Sequence, residues 1–76
     1  MGKFKIIFNS KKDKEELYDY IDYELDIIKE KKKSITVKAK NYNKVDNYME
    51  TAIFNYNESQ GNYIHKSFNY DIEEKE

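Results

Sequence analysis

Apolar residues change their spacing twice along this chain, and the change limits the secondary structure that the chain can form. Residues 3–8 alternate between apolar and mostly polar side chains, which is typical of a β-strand. Residues 17–28 repeat apolar side chains every three or four positions, which predicts one face of an α-helix. From residue 34 the spacing of two returns. The pattern therefore predicts a strand, then a helix, then further strands.

A helix start is visible just before the helical spacing begins. Ser10 is followed three positions later by Asp13, as in a capping box with Ser10 as the N-cap residue. The helix is expected to run from about Lys11 to Lys31. Its lysine-rich end suits the negative end of the helix dipole. The face expected to pack on the sheet consists of Leu17, Ile21, Leu25 and Ile28.

Three strands are predicted after the helix, joined by two hairpin loops. The first of them contains the alternating residues 35–40. A loop at Asn43–Asp46 leads to a second strand, Tyr48–Tyr56. A turn at Ser59–Gly61 leads to the last strand, Tyr63–Ile72, and closes with the glycine that a left-handed turn position favours. Both hairpin registers gather apolar residues on one face, as a half-buried sheet requires.

The predicted architecture is a two-layer α+β domain of order β-α-β-β-β, with one helix packed on one face of a mainly antiparallel four-stranded sheet. We expect the first strand to run parallel to the second, because the helix joins them as a crossover. Residues 1–76 form a single domain, of which residues 73–76 fray. Since so small a core gives marginal stability, a homodimer is a reasonable expectation. The expected core is Phe4, Ile6, Phe8, Leu17, Ile21, Leu25, Ile28, Ile35, Val37, Ala52, Phe54, Ile64 and Phe68.

Composition excludes several classes of protein. The 76-residue chain has no Cys, so it can form neither a disulfide framework nor a Cys-based zinc site. It has no run of about 18 apolar residues, so no membrane span is expected, and its start carries no secretory signal, which favours a cytoplasmic location. Its 14 basic and 15 acidic residues give a net charge of −1, whereas a dedicated duplex-DNA binder usually carries a clear basic excess.

No catalytic constellation is visible in the sequence. His65 is the single His, Cys is absent, and two Gly cannot build a phosphate-binding loop. Asp19, Asp22 and Asp26 share one stripe of the predicted helix. Metal sites usually draw ligands from separate elements, so a solvated helix face is the simpler interpretation of this stripe. We therefore expect no enzymatic activity, no metal and no cofactor.

A second apolar stripe on the predicted helix, formed by Tyr20, Tyr23 and Ile27, suggests a protein-binding surface. A single helix on a sheet needs one apolar stripe, and this one lies away from the residues that face the sheet. Tyr suits interfaces because it joins a large rigid apolar body to a hydroxyl, and nearby acids favour a basic partner. The alternative is that the stripe packs against the sheet edge or the loops. The candidate protein-binding residues are Asp19, Tyr20, Asp22, Tyr23, Asp26 and Ile27.

The face of the sheet away from the helix is the second candidate surface. Strand parity places lysines beside Tyr and His there, so unpaired bases could stack while phosphates contact ammonium groups. The candidate nucleic-acid-binding residues are Lys3, Lys5, Lys38, Lys40, Tyr42, Tyr63 and His65. The arrangement resembles sheet-based RNA binders, although the glycine–aromatic motif of RRM domains and all Arg are missing. Two alternatives to nucleic-acid binding are that this face is simply exposed to solvent, or that it contacts another protein or a second copy of the chain.

Together these features predict a non-enzymatic protein-binding module, an inhibitor or adaptor of a larger protein that could itself handle nucleic acid. In size, charge balance and lack of an active site, the chain resembles the small inhibitors of phages and mobile elements, such as anti-CRISPR proteins. Two alternatives stay open. One is a weak binder of single-stranded nucleic acid that uses the open sheet face. The other is a homodimeric structural protein.

Overall fold

The computed structural model describes residues 2–22 and 25–75 of the chain. These residues form one four-stranded sheet, of strand order β2-β3-β1-β4, in which every neighbouring pair is antiparallel. Two helices accompany the sheet along the described residues. The elements in chain order are β1 (Gly2–Phe8), α1 (Lys11–Asp22), β2 (Asp26–Glu30), β3 (Ser34–Ala39), α2 (Tyr42–Gln60) and β4 (Tyr70–Glu74).

The structure confirms the expected α+β class, with helices on one face of an antiparallel four-stranded sheet. The element order differs from the expected one, because a second helix, α2, precedes the last strand. The order β-α-β-β-α-β with β1 and β3 in the centre has the connectivity of the ferredoxin-like, or split β-α-β, arrangement. The prediction that the first strand runs parallel to the strand at residues 35–40 was wrong, since β1 and β3 are antiparallel neighbours.

The first helix is shorter than the helical spacing predicted. Its start is confirmed, because the backbone N–H of Asp13 donates to Oγ of Ser10 at 3.1 Å. It ends at Asp22, however, and β2 occupies residues 26–30, which were expected to be helical. Pairing with β3 outweighs the helical spacing there, since a β-branched Ile27–Ile28 pair favours a strand beside a partner. An irregularity between Ile27 and Lys29 leaves Ile28 41% exposed.

The second helix replaces the predicted strand Tyr48–Tyr56 and its two hairpin loops. Asn41 caps the start of α2, where its side chain accepts from the backbone N–H of Lys44 at 2.9 Å. Gly61 ends it in the left-handed conformation at φ 68°, so the glycine has the predicted backbone conformation but serves as a helix cap. The strand prediction followed the aromatic and β-branched content of this segment and missed a buried helical stripe. That stripe is Val45, Met49 and Ala52.

The core lies between the helices and one face of the sheet. The sheet contributes Phe4, Ile6, Phe8, Ile35, Val37 and Ala39, and the helices contribute Leu17, Ile21, Val45, Met49 and Ala52. Leu25 and Phe68, from the connecting segments, are also buried as expected. Three expected core residues are instead exposed: Ile28, Phe54 and Ile64. Each was predicted to face the core from an element that the structure does not have at that position. Ile28 lies on a strand and not on a helix, Phe54 lies on a helix, and Ile64 lies in a connection.

The last strand is displaced along the chain relative to the prediction. Residues 62–69 connect α2 to β4 without regular structure, and β4 pairs with β1 from Tyr70 to Glu74. Glu74 is paired with Phe4, although residues 73–76 were expected to fray. Tyr70 also holds β4 to α2, because its hydroxyl donates to Oδ1 of Asp46 at 2.9 Å. Burial, followed by that hydrogen bond, raises the pKa of Tyr70.

A buried lysine joins α1 to the end of β2. The Nζ atom of Lys14 lies 2.6 Å from Oε2 of Glu30 and donates to the carbonyl oxygen of Lys31 at 2.8 Å. Lys14 is almost fully buried, and a buried charge is tolerated only with such partners. The contact therefore fixes the hairpin of β2 and β3 against the first turns of α1.

A buried asparagine fixes the connection between α2 and β4. The Nδ2 atom of Asn57 donates to the carbonyl oxygens of Ile53 and Lys66, each at 3.0 Å. Its Oδ1 atom accepts from the backbone N–H of Lys66 at 2.7 Å and from Nδ2 of Asn62 at 2.8 Å. Two donors and two acceptor positions of the amide are thus all satisfied, at a residue with no exposed surface.

We expect Asn57→Ala to lower the free energy of unfolding by about 3 kcal/mol, because it leaves the part-buried N–H and C=O groups of Lys66 without partners and a cavity where the buried amide was. Urea unfolding followed by circular dichroism measures the loss. Asn55→Ala is the matched control, since Asn55 lies two residues away in α2 with an exposed side chain. Equal losses in the two variants would show that the buried amide has no special role.

Candidate interaction surfaces

The open face of the sheet has a basic centre, an acidic β4 edge and a β2 edge of mixed charge. On the central strands, Lys3 of β1 lies directly opposite Lys38 of β3, and Lys5 lies opposite Thr36. The edge strands place Asp26 beside Lys38 and Glu73 beside Lys5. Like charges that face each other across a ladder are destabilising. The Lys3–Lys38 pair therefore costs stability, which makes it a feature that a binding role would explain.

The structure divides the candidate nucleic-acid-binding residues among three places. Lys3, Lys5 and Lys38 lie together on the open sheet face. Lys40 follows β3, and Tyr42 begins α2. Tyr63 and His65 lie in the connection after α2, not on a strand. Within the described strands no aromatic side chain shares the open face with the lysines, so a stacking platform of the expected kind is missing there.

The candidate protein-binding residues also belong to more than one element. The described part of the set comprises Asp19, Tyr20 and Asp22 on α1, with Asp26 and Ile27 on β2. Tyr23 lies outside the described residues. The ring of Tyr20 packs edge-on against Tyr56 at 5.8 Å, and its hydroxyl is hydrogen-bonded to Ser59. Tyr20 thus contributes to the contact between the helices, while the side chain of Asp19 is exposed.

The largest exposed apolar side chains adjoin the connection between α2 and β4. Tyr63 is fully exposed, Ile64 is 85% exposed, and Phe54 of α2 is 53% exposed. His65 links them, since it follows Ile64 and its ring lies 5.6 Å from that of Phe54. We call Phe54, Tyr63 and Ile64 the apolar loop patch. The sequence interpretation missed it because it assigned residues 63–72 to a strand, whose parity placed Ile64 in the core.

A charged cluster ties the same connection to α1. The Nζ atom of Lys66 donates to Oε1 of Glu16 at 2.7 Å and lies 4.0 Å from Oδ1 of Asp13. It also lies 4.7 Å from the ring centre of Phe68, which is within cation–π range. The hydrogen bond between the pair lowers the pKa of Glu16 and raises the pKa of Lys66. The base of the apolar loop patch is therefore attached to both helices.

We expect this attachment to weaken in acid. Glu16 has a lowered pKa in the folded state, so its contribution to stability is present above its unfolded pKa and is lost as the pH falls through the lowered value. Glu16→Gln should therefore reduce the free energy of unfolding at about pH 7 more than at about pH 3, as measured by urea unfolding. Glu15→Gln is the control, since Glu15 forms only an exposed pair with Lys11 at 3.8 Å. The same pH dependence in both variants would contradict the expectation.

A hollow opens at the end of the sheet where β3 ends and α2 begins. Its volume is about 360 Å³, and its lining residues are Leu25, Asp26, Lys38, Ala39, Lys40, Lys44 and Tyr48. It brings together Lys38 and Lys40 of the candidate nucleic-acid-binding set. It adds Lys44, which the sequence interpretation placed in a hairpin loop. Recognition of the Asn41 cap would have placed Lys44 in the first turn of a helix.

Comparison of the chain with protein-family models, with curated proteins and with solved structures finds no match in any of the three. Over residues 2–22 and 25–75, neither helix is long and apolar enough to cross a membrane. The same stretches contain no group of three or more His, Asp or Glu side chains placed to hold a metal ion.

Proposed function

We propose that this chain is a non-enzymatic protein-binding module, an inhibitor or adaptor that contacts a larger protein through the apolar loop patch. The observation that carries the proposal is the exposure of two adjacent large apolar side chains, Tyr63 and Ile64, in a segment whose base is fixed by Asn57. Exposed apolar clusters mark interaction sites, and aromatic anchors commonly dominate binding energy. A fixed base lowers the entropy that binding must overcome.

The charges around the patch indicate the chemistry of the partner. Glu50 and Glu58 of α2 lie near it, and in the described residues Glu50 has no ion pair. Lys66 is already neutralised by Glu16. The surroundings are therefore acidic overall, and they complement a partner with an apolar pocket surrounded by basic groups. Basic surfaces are common on proteins that handle nucleic acid, so a cytoplasmic protein of that kind is the partner we propose.

This partner chemistry also agrees with the resemblance to the small inhibitors of phages and mobile elements. A small inhibitor needs a preformed contact surface and no active site. The apolar loop patch, with acidic groups around it, provides such a surface on a chain of 76 residues.

The test uses a photocrosslinking amino acid at position 63 to capture the partner in cells, with the same group at position 28 as control. Ile28 is also exposed and apolar, but it lies on the edge strand β2. The captured protein is then purified, and its affinity is measured by titration calorimetry. We expect Tyr63→Ser with Ile64→Ser to weaken binding at least about 100-fold, because both anchors are lost. Ile28→Ser should change the affinity less than about twofold.

Because the side chains of Tyr63 and Ile64 are exposed, the double variant should keep the circular dichroism spectrum and unfolding midpoint of the wild type. Unchanged affinity in the double variant would contradict the proposal, as would crosslinking from position 28 alone. Sedimentation at several concentrations examines self-association. A wild-type dimer that the double variant converts to a monomer would assign the patch to a second copy of the chain, contrary to the proposal.

A further inference from the structure

The hollow at the start of α2 has an apolar floor. Leu25 and Ala39 are buried there, and the half-buried ring of Tyr48 packs against the core beside them. Its volume of about 360 Å³ lies within the range of roughly 300–1,000 Å³ that is usual for small-ligand sites. A floor of this kind suits a flat ring, since ring stacking on Tyr tolerates any base.

Three exposed lysines surround that floor, namely Lys38, Lys40 and Lys44. Among the described residues, none of their ammonium groups has a carboxylate within 4.0 Å. Among the described residues, Asp26 is the single acid in the lining, and it lies opposite Lys38 across the β2–β3 ladder. Three lysines against this one acid give the described rim a net positive charge, which complements an anionic ligand.

The positive charge continues from the hollow onto the open sheet face. Lys38 belongs to the rim and also lies opposite Lys3, and Lys5 is the next residue of β1 on the same face. A single bound phosphate would use only the rim. A row of lysines that leads away from an apolar slot instead suits a polyanion that carries flat rings along its length.

We propose that this hollow binds one base of a single-stranded nucleic acid. The base lies against Tyr48, the adjoining phosphates contact Lys38, Lys40 and Lys44, and the strand continues over Lys3 and Lys5. A duplex fits less well, because its bases are stacked and paired and cannot enter the slot. The two sites share no residue. Lys44 and Tyr48 lie in the first two turns of α2, whereas Tyr63 and Ile64, the two anchors of the proposed protein contact, follow its end.

Fluorescence anisotropy with a labelled oligothymidylate of about ten nucleotides tests the site. Phosphate contacts at the three rim lysines and at Lys3 and Lys5 predict that log K falls with log salt with a slope of about −3.5, at roughly 0.7 per contact. Lys40→Gln with Lys44→Gln removes two contacts, so the slope should fall to about −2 and the affinity at about 0.1 M salt should drop about 25-fold. Lys32→Gln with Lys33→Gln makes the same charge change in the exposed β2–β3 connection and should alter the affinity less than about twofold.

A nuclear magnetic resonance titration locates the contact. With the oligothymidylate, the largest shifts are expected at the amides of Ala39, Lys40, Lys44 and Tyr48. Equal loss of affinity in the two double-lysine variants, or equal binding of a duplex of the same length, would overturn the proposal, because either result would show only general attraction to charge. Thymidine monophosphate that binds as tightly as the oligomer would assign the hollow to a free nucleotide instead.

The two proposals can fail separately. Tyr63→Ser with Ile64→Ser should keep the full affinity for the oligothymidylate, because neither residue lines the hollow. Loss of oligonucleotide binding in that variant, or no binding at high micromolar protein concentration, would overturn the assignment of the hollow. Neither result would bear on the crosslinking test of the protein partner.

Discussion

The amide of Asn57 determines where the chain goes between α2 and β4. Residues 62–69 have no regular structure, so their backbone groups need partners from elsewhere. The Asn57 side chain bonds both the N–H and the C=O of Lys66, and it accepts a third hydrogen bond from the side chain of Asn62. With Lys66 held there, Phe68 enters the core and Lys66 can reach α1. Residues 63–64 lie between the two residues that Asn57 holds, Asn62 and Lys66, and their side chains are exposed. One buried polar group thus anchors both ends of the exposed segment.

The parts of the fold that the sequence predicts are those in which local signals and tertiary packing agree. Alternation in β1 and β3 and the Ser10 cap of α1 are of this kind. The end of α1 is not, because pairing of β2 with β3 overrides a helical repeat, and nothing local to residues 26–30 reports that partner. The cap residues Asn41 and Gly61 are local signals for the two ends of α2, but the aromatic and β-branched residues between them favoured a strand.

Candidate sites were predictable only where the underlying element was right. Lys3, Lys5 and Lys38 share the open face because strand parity was correct for β1 and β3. Tyr63 and His65 were placed on that face, and Ile64 in the core, by a predicted strand that the structure does not have at residues 63–65. For Lys14, the sequence does not reveal the partner that stabilises its charge. Near the start of α1 it opposes the helix dipole, and only the fold reveals Glu30 as the partner that stabilises it.

The irregularity in β2 and the acidic β4 have a further consequence at the margins of the sheet. An open sheet ends in strands whose free N–H and C=O groups can recruit another chain and start fibre growth. The bulge between Ile27 and Lys29 bends one margin away from a flat template. At the other margin, Asp71, Glu73 and Glu74 place like charges in the path of an approaching strand. Both features disfavour edge-to-edge pairing between copies of a chain that exposes large apolar side chains.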